Sequence, residues 1–200
     1  MNLPNKITLS RICLIPVFAA VFLLDCIPAN YFIAAIVFIV ASCTDFVDGH
    51  IARKRGLVTN LGKFLDPIAD KVLVSTALIL LLVRHETLNV LWEGEWVVIC
   101  AGICVAVILA RELIVSGFRM VAASAGLVLA ADKIGKVKTT FQDISIAMLL
   151  AGSDFFGLET VSKVFNAIGL VCLAVATVLT IWSGIHYIVR NRAVFQESRE

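Results

Sequence analysis

Charge is scarce in this chain of 200 residues: 16% are Asp, Glu, Lys or Arg, while 60% are apolar. Soluble domains carry about 25% charged and roughly 45–50% apolar residues. A chain of this size cannot hide so much apolar surface from water, so an ordinary soluble globule is excluded and a membrane is the solvent that fits. Other absences narrow the field. The net charge is only +2, so the broad basic field that a nucleic-acid partner requires is missing. No two of the six cysteines form a C-x-x-C pair. They are scattered through apolar runs and read as small packing residues, Cys100 and Cys104 included, rather than as disulfides. No ten-residue alternating pattern is present, which excludes a transmembrane β-barrel. No internal repeat, low-complexity segment or linker appears, so residues 1–200 read as one domain. Lys6 and Arg11 precede the first apolar run as they would in a signal peptide, but no small-residue cleavage site follows, and a retained first span is expected.

What is present is a series of long apolar runs. A membrane helix needs about 20 mostly apolar residues, and six candidates occur at 7–25, 31–52, 64–84, 95–118, 136–152 and 161–189. The expected fold is an all-α integral membrane protein with six transmembrane helices in a compact antiparallel bundle, because only helices satisfy their own backbone in lipid and the links are short. Of the 17 Lys and Arg residues, fifteen fall on one side of that arrangement, and only Arg84 and Lys163 fall on the other. The positive-inside rule makes the basic side cytoplasmic and puts both termini there.

The chemistry concentrates between Thr44 and Lys71. Asp45, Asp48, Gly49 and Ala52 share one helix face by spacing. Gly62, Asp66 and Asp70 recur at intervals of four and repeat the device on the next helix. Pro67 is expected in the first turn of that helix, where proline is tolerated. The short link between the helices lets four carboxylates converge just inside the membrane boundary. Converging anions near lipid must be neutralised. Pairing with Arg53, Lys63 and Lys71 is the plainer possibility. Four aspartates on matched faces with glycines between them instead suit hard divalent cations bound through oxygen alone, Mg²⁺ or Mn²⁺ with Ca²⁺ as the alternative, and two ions could clamp both the attacked phosphorus and the leaving oxygen. Such ions would leave coordination places for a pyrophosphate.

These residues match the signature D-x2-D-G-x2-A-R-x8-G-x3-D-x3-D without departure: Asp45, Asp48, Gly49, Ala52, Arg53, Gly62, Asp66 and Asp70. The chain resembles the CDP-alcohol phosphatidyltransferase family over essentially its whole length. The resemblance implies that Asp45, Asp48 and Asp66 are the main metal ligands, and that Asp70 both holds the second ion and acts as general base on the acceptor hydroxyl. It implies CDP contacts at Gly49, Arg53 and Thr59, room for cytidine at Gly62, and nucleotide contacts from Asn5 and Thr8 near the N-terminus. It also implies CDP-diacylglycerol as donor, a homodimer, and a bacterial-type cytoplasmic membrane as location.

The acceptor rests on different residues. Arg111 and Glu112 interrupt an apolar helix, and Glu112, Ser116 and Arg119 share a face that should turn inward. With Lys136 and Lys138, Arg111 and Arg119 make a cationic pocket suited to an acceptor that carries its own phosphate, although simple positive-inside anchoring accounts for part of the pattern. The stretches A-R-E-L-I-V-S-G-F-R and G-K-V-K-T-T, and the opening L-P-N-K-I-T-L-S-R, resemble the branch of the family whose acceptor is sn-glycerol 3-phosphate; inositol phosphate or phosphatidylglycerol are the alternatives. Asp143 has no assigned role: a hydrogen bond across the bundle, headgroup depth and the substrate cavity all fit it. His186 and Tyr187 read as interfacial. Two rivals share the aspartates: a prenyltransferase acting on allylic pyrophosphate, which would release pyrophosphate rather than CMP, and a cation transporter, which would conduct ions without nucleotide.

Overall fold

A computed structural model of the chain describes residues 3–55, 60–92, 94–124, 133–153 and 155–191; within its helices the side chains of 3–8, 45–55, 60–67, 124 and 133 lie outside that description. Among the described residues there are six α-helices and no strand: α1 Leu3–Leu23, α2 Asn30–Arg55, α3 Asn60–Val83, α4 Glu95–Ser124, α5 Lys133–Gly152 and α6 Glu159–Arg190, with a short 3-10 turn at His85–Thr87. The expected helices are all present and their ends differ by a few residues. The largest shifts are at the starts of α1 and α3 and at the end of α4. α3 begins at Asn60, a residue type favoured at helix starts, so Pro67 falls in the second turn and interrupts the hydrogen-bond ladder there rather than sitting harmlessly in the first. α4 runs on to Ser124 because nothing in Arg119–Ser124 opposes a helix.

α4 and α6 are each long and apolar enough to cross a membrane, whereas the described apolar parts of α1 and α2 are shorter, Leu9–Leu23 and Asn30–Thr44. The bundle has an apolar core but differs from a soluble one in exposing large apolar side chains and burying several polar ones. Its outer face carries Leu113, Ile114, Met120, Val171, Val178, Trp182 and Ile185, all exposed. Its interior holds Arg11, Lys138, Gln142, Ser145, Asn166, Thr180 and Ser183, all buried. An apolar girdle of this kind supports association with a membrane.

Side-chain contacts tie the helices together. α1 packs on α2 through Phe18, Phe22 and Phe38, with ring centroids 6.2 Å (Phe18–Phe22) and 6.1 Å (Phe18–Phe38) apart. α5 and α6 form a close hairpin. A Cβ on Gly169 would sit 2.6 Å from Leu149 Cγ, and one on Gly152 would sit 2.9 Å from Phe165 Cβ. Small residues at these crossings let the two backbones approach, which is how apolar helices associate without water to drive them together. Ser145 Oγ also donates to the carbonyl of Gly169 at 2.8 Å.

The end away from the metal-type signature is closed by polar ties. Asn166 is fully buried; its amide donates to the Thr87 carbonyl at 2.8 Å and accepts from the Leu91 N–H at 3.3 Å. Arg84 donates to the Leu23 carbonyl at 2.8 Å and to Asp25 Oδ1 at 2.7 Å, and reaches Glu86 at 3.4 Å. Tyr31 donates to the same Glu86 at 3.0 Å. Burial alone would raise the Glu86 carboxyl, but hydrogen bonds from its own N–H, from Tyr31 and from Arg84 outweigh it and hold the group below the usual carboxylate range. The six cysteines are all free, as their scatter implies.

Candidate active site

The four aspartates belong to two touching helices joined by only four residues. Asp45, Asp48, Gly49 and Arg53 lie in the last three turns of α2, and Gly62 and Asp66 in the first two turns of α3. The side chains of these six, and of Asn5 and Thr8 in α1, lie outside the described residues, as does the whole of Thr59. Among the described residues no three Asp, Glu, His or Cys side chains meet; Asp70 is the one member of the carboxylate set whose side chain is described. A donor set of carboxylates alone, on adjoining helix ends, fits a hard divalent cation.

Asp70 is half-buried and opens into a narrow crevice between α3, α4 and α5, where Lys71, Glu112, Lys138 and Gln142 stand among the apolar side chains of Val74 and Leu109. Glu112 is the hub of this crevice. Its Oε1 lies 2.5 Å from Lys138 Nζ and 3.1 Å from Arg111 Nη1, and its Oε2 lies 3.9 Å from Lys71 Nζ. Lys71 also hydrogen-bonds Ser116, whose hydroxyl donates to the Glu112 carbonyl at 2.5 Å. Three cations thus surround one carboxylate, leaving a local surplus of positive charge beside Asp70. Lys138 is only 2% exposed, so its ammonium depends on this partner.

The four cations assigned by sequence to one pocket are placed differently from one another. Arg111 and Lys138 meet at Glu112. Arg111 lies across α6, donating to Ser183 Oγ at 3.0 Å and packing over Gly184, where a Cβ would stand 3.0 Å from Arg111 Cγ. Arg119, two turns further along α4, is exposed and rests on Tyr187, with its guanidinium 5.2 Å from the ring centre and its Nε donating to the phenol oxygen at 3.2 Å. Lys136 is exposed on another face of α5. Tyr187 itself is 3% exposed and packs edge-on against Phe118, within the apolar cluster of Val115, Phe118 and Ala122. His186 is exposed.

Several residues gain a place that their sequence context did not announce. Glu112 shared a predicted face but had no assigned role. Lys71 read as a counter-ion for the aspartates. Gln142 was merely the neighbour of Asp143, although it stands one turn from Lys138. Arg11 read as a charge of the basic side, yet it is 1% exposed and donates from Nε to the carbonyl of Ala41 at 3.2 Å, one turn before Asp45. Asp143 accepts from Ser42 Oγ at 3.5 Å across α2 and α5. It also lines a lateral groove of about 430 Å³ between those helices, whose remaining walls include Phe38, Ile39, Ile144 and Met148.

Comparison with known proteins places the chain in a family. The CDP-alcohol phosphatidyltransferase family matches residues 1–182. A protein of Bacillus subtilis (strain 168) named CDP-diacylglycerol–glycerol-3-phosphate 3-phosphatidyltransferase is 44% identical over 201 residues, covering 95% of each chain. Proteins of the same name from Escherichia coli (strain K12) and Shigella flexneri serotype 5b (strain 8401) are each 38% identical over 194 residues, covering 96% of each chain. With an unbroken aspartate signature, a match over nearly its full length and relatives of its own size, the chain belongs to the CDP-alcohol phosphatidyltransferase family.

Proposed function

We propose that this chain is a CDP-diacylglycerol–glycerol-3-phosphate 3-phosphatidyltransferase, moving the phosphatidyl group of CDP-diacylglycerol to sn-glycerol 3-phosphate and releasing CMP. The observation that carries the acceptor is the crevice in which Asp70 stands beside Lys71, Lys138 and Glu112; near-full-length relatives bearing that name support the whole assignment.

The donor lies with its acyl chains in the apolar groove between α2 and α5, whose polar end at Ser42 and Asp143 is one turn from Asp45. Asn5, Thr8, Gly49, Arg53, Thr59 and Gly62 hold the CDP moiety, Arg53 through its fork on a phosphate. Asp45, Asp48, Asp66 and Asp70 would hold two divalent ions, Mg²⁺ or Mn²⁺, which when bound would neutralise the charge of the pyrophosphate and of the departing CMP. Arg111 and Lys138 receive the acceptor phosphate, with Arg119 and Lys136 drawing it in from the basic side. Asp70 takes the proton from the primary hydroxyl of glycerol 3-phosphate. The freed oxygen bonds to the β-phosphorus as the bond from that phosphorus to the bridging oxygen breaks, and the electron pair leaves on CMP. Positioning and charge neutralisation provide most of the catalysis. The enzyme works as a homodimer in a bacterial-type cytoplasmic membrane, crossing it six times with the active site and both termini on the cytoplasmic side.

The test is direct. Purified protein with Mg²⁺ and CDP-diacylglycerol is offered glycerol 3-phosphate, inositol phosphate, serine or phosphatidylglycerol, and CMP is measured. CMP with glycerol 3-phosphate is the expected result. CMP only with an acceptor that lacks a phosphate would sink the role of the cationic crevice.

A further inference from the structure

Gln142 is 2% exposed, and its carboxamide oxygen accepts no hydrogen bond among the described residues. Buried amides are nearly always paired, because burying an unpaired one is unfavourable. This one borders the same crevice as Asp70. It stands on α5 one turn beyond Lys138, about 6 Å along the axis. A carboxamide both accepts and donates, which matches the two capacities of an alcohol.

We propose that Gln142 is a specificity-determining residue that reads the secondary hydroxyl of a phosphorylated three-carbon polyol, and this rests on the acceptor proposed above. With the acceptor phosphate at Lys138 and Arg111 and the reacting primary hydroxyl at Asp70, the central carbon passes Gln142. Its hydroxyl is the partner that the amide otherwise lacks. An acceptor without that hydroxyl leaves the amide buried and unpaired, and is rejected for that reason.

The experiment compares sn-glycerol 3-phosphate with 3-hydroxypropyl phosphate, the same molecule without the central hydroxyl. CMP release by the detergent-purified protein with Mg²⁺ and CDP-diacylglycerol gives kcat/KM for each. The wild type should prefer glycerol 3-phosphate by about 30-fold or more. In Gln142→Leu and the near-isosteric Gln142→Met the preference should fall to within about 3-fold, through loss in the glycerol 3-phosphate arm alone. Equal slowing with both acceptors would assign Gln142 to structure and overturn the proposal, as would a wild type without preference. Protection of the wild type from thermal unfolding by each acceptor, with CMP present, reads the same preference without any variant; equal protection overturns it. CMP from the wild type with inositol phosphate but none with glycerol 3-phosphate would instead overturn the acceptor assignment, and the hydroxyl proposal with it.

Discussion

Lys138 Nζ lies 2.5 Å from Glu112 Oε1, joining α5 to α4 at the wall of the crevice that contains Asp70. The lysine is buried and the carboxylate also receives Arg111, so neither partner is replaceable by solvent. Glu112→Gln should therefore destabilise the protein by about 3 kcal/mol, the usual consequence of stranding a buried charge. The pair Glu112→Leu with Lys138→Met should recover only the part of that loss owed to Lys138, because Arg111 and Lys71 lose the same carboxylate, and it should raise the KM for glycerol 3-phosphate. Thermal unfolding in detergent and acceptor kinetics on the two single variants and the double variant measure both effects.

Asp70→Asn keeps the shape of the side chain and removes its basicity. CMP formation should fall by at least about 10³-fold, while binding of CDP-diacylglycerol, followed by protection from thermal unfolding, should persist. Wild-type turnover in this variant would remove Asp70 as the base.

Asn166 ties α6 to the segment after α3 at the far end of the bundle. Asn166→Ala leaves the Thr87 carbonyl and the Leu91 N–H without that partner and should lower stability by about 2 kcal/mol. Specific activity well below the unfolding midpoint should be nearly unchanged. A large loss of activity in the folded variant would show that the two ends of the bundle are coupled.

Glu86 is held below its ordinary pKa by Tyr31 and Arg84. A carboxyl depressed in the folded state contributes its stabilisation above the unfolded pKa, and loses it as the pH falls through the folded value. The thermal midpoint should thus decline as the pH is lowered below the ordinary carboxylate value of 4.5. Glu86→Gln should flatten that part of the decline, and an unchanged pH profile would assign the acid sensitivity to other carboxylates.

The helices were legible in the sequence because lipid leaves the backbone no other way to satisfy its hydrogen bonds. Runs such as 95–118 and 161–189 reappear, slightly longer, as α4 and α6. That the four aspartates fall on two consecutive helices was legible too, because their intervals of three and four residues are helical ones. The pocket cations were less so. Spacing put Arg119 on the inward face of α4, yet it lies exposed on Tyr187, because an aromatic ring from α6 offers it both a face and a hydroxyl. Arg11 counted only as a basic-side charge, whereas α2 supplies a carbonyl that lets it be buried.

By itself the sequence determined the apolar, all-helical architecture and the family, since each depends on composition or on spacing within a single helix or between adjacent ones. Tertiary structure alone decided which charges share a partner. Glu112, Lys71, Lys138 and Arg111 come from α3, α4 and α5, and their meeting depends on how three helices cross. The same crossing buries Gln142 beside Asp70. No periodicity within one helix contains that information, because burial and pairing are properties of the space between helices.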